Sequence, residues 1–282
     1  MKRITLLITL VALIVSLAMT NVAARAGDAE TDADKSTKVP AKVAILKIDD
    51  LVCAKEWWCP NGKRPGATNL IEYCAKRGIK CTFGVIGKGI EETNDIYCDW
   101  IKELHKSGMV EFWNHGYGEP PNAEFMGPYE QQLDSLRKTQ DVAMRKFGFT
   151  FTTFGPHNSD HNADTVKALK EIPEIKVMFY MRNNLVKDAS VMSLPRTNIE
   201  NPVGQAKFDE FKKSFDQRKG ASPVVLQLHL WAFDEKDPVK NKNFAELIKV
   251  IDFLLEDGWT FMTASEYRAA TLGEDEADKK EE

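Results

Sequence analysis

Between residues 43 and 263 short apolar runs alternate with amphipathic stretches of helical length, and this alternation limits the fold more than any other feature of the chain. Runs rich in β-branched and aromatic residues fall at 43–48, 81–86, 109–113, 149–154, 175–180, 224–230 and 260–263, and their length and composition predict strands. The stretches 69–77, 95–106, 130–147, 164–169, 208–217 and 244–256 carry helical spacing. Three of them stop at Gly78, Gly108 and Gly148, where a glycine readily ends a helix. Strands separated by helices pair in parallel through crossovers. The pattern therefore predicts one parallel α/β fold, either a barrel or an open doubly wound sheet. No Gly-x-Gly-x-x-Gly follows the first strand, which removes support for a dinucleotide-binding version.

The ends of the chain read differently. Lys2-Arg3, an apolar run over 4–19 and Ala24-Arg25-Ala26 have the order of a secretory signal peptide, expected at 1–26. Residues 27–41 are polar and predict a flexible linker. The fold is expected over 42–270, followed by a charged disordered tail at 271–282. These features predict a secreted or periplasmic protein with no stable membrane span once the signal is removed. The full chain carries a formal net charge of −4. Loss of Lys2, Arg3 and Arg25 leaves the remainder more acidic, which argues against a nucleic-acid partner. All five cysteines, Cys53, Cys59, Cys74, Cys81 and Cys98, lie early in that remainder. In an exported protein they point to disulfides, and Cys53 and Cys59 are spaced to close a small loop. The pairing and the oligomeric state stay open.

The ionisable residues fall where chemistry is expected. Asp49-Asp50, His115, His157 and His229 each come at or just past the end of a predicted strand. In a parallel barrel those ends share one rim, and active sites are built there. Two adjacent carboxylates repel unless a cation lies beside them. A metal would take one as a ligand and leave the other free as a base. His115 and Glu119 are four residues apart, so on a helical turn both would reach one ion. With Asp50 they would make three protein ligands and leave a position for water, the count of a catalytic site. His157, Asn158 and His161 lie in a second His-x-x-x-His segment that reads either as metal-binding or as a polar loop. His229 closes a run too apolar for the surface and reads as a core histidine or a site residue. His105 lies on a predicted helix as an ordinary surface histidine. Trp57, Trp58, Trp113, Tyr117 and Trp231 are near the proposed rim, able to stack on sugar rings or to fill core.

In order and spacing these segments resemble the polysaccharide deacetylase family, also called the NodB-homology or carbohydrate esterase family 4-like family. Val43-Ala44-Ile45-Leu46-Lys47-Ile48-Asp49-Asp50 resembles its first motif. Cys81-Thr82-Phe83-Gly84-Val85-Ile86-Gly87 resembles its second strand. Asn114-His115-Gly116-Tyr117-Gly118-Glu119-Pro120 resembles its metal motif, and Val225-Leu226-Gln227-Leu228-His229 its last. The resemblance implies a deformed (β/α) barrel as a single domain. It implies a divalent metal, most often zinc, on Asp50, His115 and Glu119, with Asp49 as general base and His229 as general acid. The implied substrates are N-acetyl groups on amino sugars of chitin-like polymers or peptidoglycan, and in some members O-acetyl groups.

The departures are specific. Glu119 stands where the family has a histidine, which adds a negative charge and leaves His157 or His161 as alternative ligands. Gly155 stands where the third motif carries an arginine that orients the base. Leu230-Trp231 follows the last histidine in place of proline, and Asp188 and Asp234 are the candidates to orient His229. Two other readings therefore stay beside the deacetylase: an inactive relative that binds glycan, and a deacylase of a small non-carbohydrate amide.

Overall fold

The computed structural model describes residues 39–53, 59–118, 124–201, 204–235 and 240–272. The expected signal at 1–26, most of the linker and the tail beyond 272 lie outside the described residues. The described residues belong to one unit, Lys38–Glu282.

The central strand is β1 (Val43–Leu51), flanked by β2 (Cys81–Val85) and β8 (Val224–His229). Outward from β2 come β3 (Val110–Asn114), β4 (Thr153–Phe154), β5 (Val177–Phe179) and β6 (Met192–Leu194). Beyond β8 lies β7 (Thr197–Asn198), and β9 (Thr260–Phe261) pairs with the start of β1. Every pairing between these strands is parallel. The two edge strands, β6 and β7, are separated in sequence only by Pro195 and Arg196. The sheet therefore curls until its edges come together without a ladder between them, a deformed (β/α) barrel.

The helices form where capping and apolar spacing agree. α1 (Pro65–Arg77) starts on a proline and ends at Gly78 in the left-handed region. α2 (Gly87–Glu91) is a short turn that the pattern did not announce. In α3 (Asp95–Lys106) the Asn94 side chain accepts from the Tyr97 N–H. α4 (Tyr129–Phe147) ends at Gly148, and α5 (Ala163–Lys170) opens on a capping box formed by Asn162 and Thr165. α6 (Phe208–Gln217), α7 (Lys242–Glu256) and α8 (Ala264–Leu272) complete the order. No described helix is long and apolar enough to cross a membrane. A disulfide joins Cys53 and Cys59, and Cys74, Cys81 and Cys98 are buried thiols.

Two strand boundaries differ from the sequence pattern for identifiable reasons. The run 149–154 yields a strand only at its end, because the Gln140 side chain takes both backbone groups of Phe151 and Phe149 stacks on His105. β1 does not stop at Ile48 but continues through both aspartates.

Side chains alternate across a strand, so every second residue faces the barrel interior. On β1, Ala44, Leu46 and Ile48 pack toward the helices while Val43 and Ile45 join the interior cluster of Trp113, Val177, Phe179, Leu194 and Val225. Burying each valine, leucine, isoleucine or phenylalanine among them is worth about 1.5–3 kcal/mol. Continued upward in steps of two, the interior face of β1 meets Lys47 and Asp49. That of β3 runs Glu111, Trp113 and on to His115; that of β4 runs Thr153, Gly155 and on to His157. That of β8 runs Val225, Gln227, His229. Four alternating series thus arrive at one rim.

Candidate active site

Asp49 reaches this rim in register, but Asp50 would point to the opposite face of a regular strand. It does not, because its φ is +66° and the pairing register slips between Ile48 and Leu51. A left-handed aspartate is strained and needs outside support. Arg64 supplies it: one guanidinium nitrogen donates to the Asp50 carbonyl at 2.6 Å, while the rest of the fork holds Asp234 at 2.7–3.2 Å.

Three potential ligand atoms converge here. Donor atoms of Asp50, His115 and His157 all lie within 4.8 Å of one another. Asp50 Oδ1 is 3.5 Å from His115 Nε2 and 4.0 Å from His157 Nε2, and the two imidazole rings are 4.2 Å apart. The other ring nitrogens are committed. His115 Nδ1 faces the Gly155 carbonyl at 2.6 Å and His157 Nδ1 faces Glu124 Oε2 at 3.3 Å. Both partners are acceptors, so each Nδ1 carries the proton and each Nε2 presents a lone pair to the Asp50 carboxylate. Burial, with the neighbouring His157, pulls the His115 pKa below the ordinary histidine value, which favours the neutral ring. Lone pairs facing a carboxylate repel in the absence of a cation. Two imidazoles oriented by their second nitrogens plus one carboxylate are a donor set that suits a zinc-like ion, so the residues fit a divalent metal.

Glu124 organises this side of the rim, although no motif or periodicity marks it. Its Oε1 accepts from the Tyr117 N–H at 2.6 Å, the Gly118 N–H at 3.0 Å and the Ser135 hydroxyl, while Oε2 takes His157. Gly116, at φ +80°, lets the chain pass so closely that a Cβ there would strike the Glu124 carboxylate. Residues 115–118 are therefore an irregular loop wrapped on a buried acid, not the helical turn expected for His115 and Glu119. Glu119 itself lies outside the described residues. Removing the Glu124 side chain strands buried donors, each worth about 1–3 kcal/mol. Glu124→Ala is thus expected to cost about 3 kcal/mol, read as a lower urea midpoint.

The other expected residues separate clearly. Asp49 is 3 % exposed. Its Oδ1 meets Lys47 Nζ at 2.5 Å, and its Oδ2 takes the Gln227 amide at 3.3 Å. That same Oδ2 stands 3.9 Å from both His115 Nε2 and His229 Nε2. Glu200 orients His229, accepting from its backbone N–H and its Nδ1, both at 2.7 Å. This is the place for which Asp188 and Asp234 were candidates; Asp234 is instead spent on Arg64. Burial works to lower the His229 pKa, but the Glu200 hydrogen bond and the charges of Asp49, Glu200 and Asp50 outweigh it and raise it. His161 stands apart from the cluster: its Nδ1 meets the Ser159 carbonyl and its Nε2 accepts from the Arg182 N–H, leaving no nitrogen for a metal. Asn158, at φ +54°, turns the chain after His157. Trp231 is 48 % exposed, with its ring 5.6 Å from that of His229. Trp57 and Trp58 lie outside the described residues, and Trp113 is core.

The geometry can be set beside known proteins. The family model for polysaccharide deacetylase matches residues 36–173. No curated protein matches the chain. Among solved structures, the chain is similar to a family 4 acetyl xylan esterase from Clostridium thermocellum in complex with a cobalt ion. Identity there is 18 %, covering 80 % of this chain and 89 % of that one, with a TM-score of 0.52. It is similar at 15 % identity and TM-score 0.52 to a peptidoglycan deacetylase from Bacillus subtilis, covering 85 % and 96 % of the two chains. A family 4 pseudoenzyme from Bacillus anthracis also matches, at 15 % identity and TM-score 0.56, over 81 % of this chain and 66 % of that one. At these identities the solved structures speak for the fold, and the family model speaks for the lineage. The chain is a divergent member of the polysaccharide deacetylase family.

Proposed function

We propose that this protein is a metal-dependent deacetylase that removes acetyl groups from an N-acetylated glycan. The observation that carries the reading is the convergence of Asp50, His115 and His157 beside a buried carboxylate and an oriented histidine. Asp50, His115 and His157 would hold the divalent ion, with zinc the first choice for two imidazoles and one carboxylate. Such an ion, when bound, polarises an acyl carbonyl and lowers the pKa of water.

The chain's own groups then divide the proton work. Asp49 Oδ2 faces the cluster and accepts the proton of the attacking water. His229 Nε2, 3.9 Å from Asp49 Oδ2, donates a proton to the leaving nitrogen. Glu200 fixes the tautomer and the direction of that donation. Trp231 stands beside the acid with an exposed face that a sugar ring can cover. An oxidising setting outside the cytoplasm is supported by the Cys53–Cys59 disulfide and by the apolar run at the N-terminus. The substrate would then be an envelope or extracellular polymer, peptidoglycan or a chitin-like glycan.

The test is acetate release from acetylated chitooligosaccharides and from peptidoglycan, with metal content measured on the same preparation. Acetate release that requires stoichiometric metal supports the reading. Metal-replete protein that releases none, yet retains glycan, supports the inactive binder instead; release only from small non-carbohydrate amides supports the third reading.

The acid assignment has its own pH signature. The acid must be protonated, so activity falls as pH rises through the His229 pKa. Glu200 holds that pKa up. In Glu200→Gln the fall in kcat is expected at lower pH than in the wild type, with the acidic limb unmoved. A profile that does not shift would remove His229 from the acid role.

A further inference from the structure

We infer that Lys47 is a positioning residue for the catalytic base, holding Asp49 from below by a buried ammonium in an aromatic cage; this rests on the deacetylase reading above. Lys47 is 1 % exposed, and lysine is almost never so buried without a partner. It lies on the interior face of β1, two residues below Asp49, so strand alternation aims both side chains into the same space. Nζ lies 2.5 Å from Asp49 Oδ1 and 4.7, 5.0 and 5.5 Å from the rings of Trp113, Tyr180 and Phe179. Ring faces at this range attract a cation and exclude water from it.

The surrounding sequence is fitted to this arrangement. Trp113 can lie under the ammonium only because β2 and β4 offer no side chain there. A Cβ at Gly84 would strike the indole, and one at Gly155 would come within 2.8 Å of it. The space beside the base is thus filled by Trp113 with Lys47 over its face. The contact also divides the carboxylate. Lys47 occupies Oδ1, which leaves Oδ2 as the oxygen facing His115 and His229. Lys47 does not approach substrate; its effect passes through the orientation of Asp49.

The experiment compares wild type, Lys47→Met and Lys47→Arg, each loaded with zinc. Methionine fills the cage without charge, whereas arginine restores a cationic donor. Lys47→Met is expected to lose about 10²-fold in kcat, the lower range of what a misplaced general base costs, with KM and the zinc Kd unchanged. Lys47→Arg is expected to recover most of that loss. Should Lys47→Met not fold, Lys47→Leu takes its place, since it also fills the cage with neither a charge nor a donor for Asp49 Oδ1. A folded neutral variant with wild-type kcat overturns the inference, and so does a loss that appears in zinc affinity or in KM rather than kcat. Wild-type protein that releases no acetate sinks the deacetylase reading and this role with it, whereas an active wild type indifferent to Lys47 sinks the role alone.

Discussion

Asp49→Asn is expected to lower kcat for acetate release by about 10³-fold, within the range a general base supplies, while zinc binds as before. The substitution keeps the shape of the side chain and removes only its capacity to accept a proton. The local hydrogen bonds can absorb the change. The new amide oxygen keeps the Lys47 donor at 2.5 Å, which leaves the amide nitrogen facing Gln227. Gln227 Oε1 is buried with no partner among the described residues, so a rotation of the Gln227 amide turns an acceptor toward that nitrogen. The variant should therefore fold and carry metal, so that lost turnover reports chemistry and not collapse. Chelator competition checks the metal and acetate release checks the rate. Turnover that survives would refute the base assignment; metal lost with the carboxylate would make Asp49 a ligand.

Asp49 also shows how much of the site could be read in advance. The interior faces of β1 and β8 were legible because strand alternation is rigid: Asp49 and His229 end apolar runs, and parity alone sends them inward. The same parity, carried one step past β3 and β4, reaches His115 and His157. Asp50 was legible as a motif but not as geometry, because its inward turn depends on a left-handed φ that no pattern announces. Glu124 and Glu200 were missed. Glu124 sits in a single turn of 3-10 helix, and Glu200 follows a two-residue strand that pairs only with β8. Neither segment is long enough to show a period. Lys47 stood in plain view inside the first strand. A charged residue at an interior position of a buried strand contradicts the pattern around it, and such contradictions gather at functional sites. In the fold, β6 and β7 escaped for the same reason as Glu200, being too short to alternate.

The third metal ligand is the point at which spacing and geometry part, and a pair of variants decides it. His157→Ala is expected to weaken zinc binding by more than the roughly 100-fold that loss of a supporting outer partner costs, and to abolish acetate release. Glu119→Ala is expected to keep both. The argument rests on orientation and charge. His157 arrives with its Nδ1 fixed by Glu124 and its Nε2 aimed at Asp50, so little rearrangement is needed to bind an ion. Asp50, His115 and His157 together carry one negative charge, which leaves a dication net positive and able to stabilise the oxyanion that forms during acyl transfer. A second carboxylate in place of His157 would neutralise that charge and weaken the polarisation. Plasma emission spectrometry on dialysed protein reads the metal, and the acetate assay reads the consequence. Zinc kept in His157→Ala but lost in Glu119→Ala would return the ligand to Glu119 and leave His157 a polar neighbour held by Glu124.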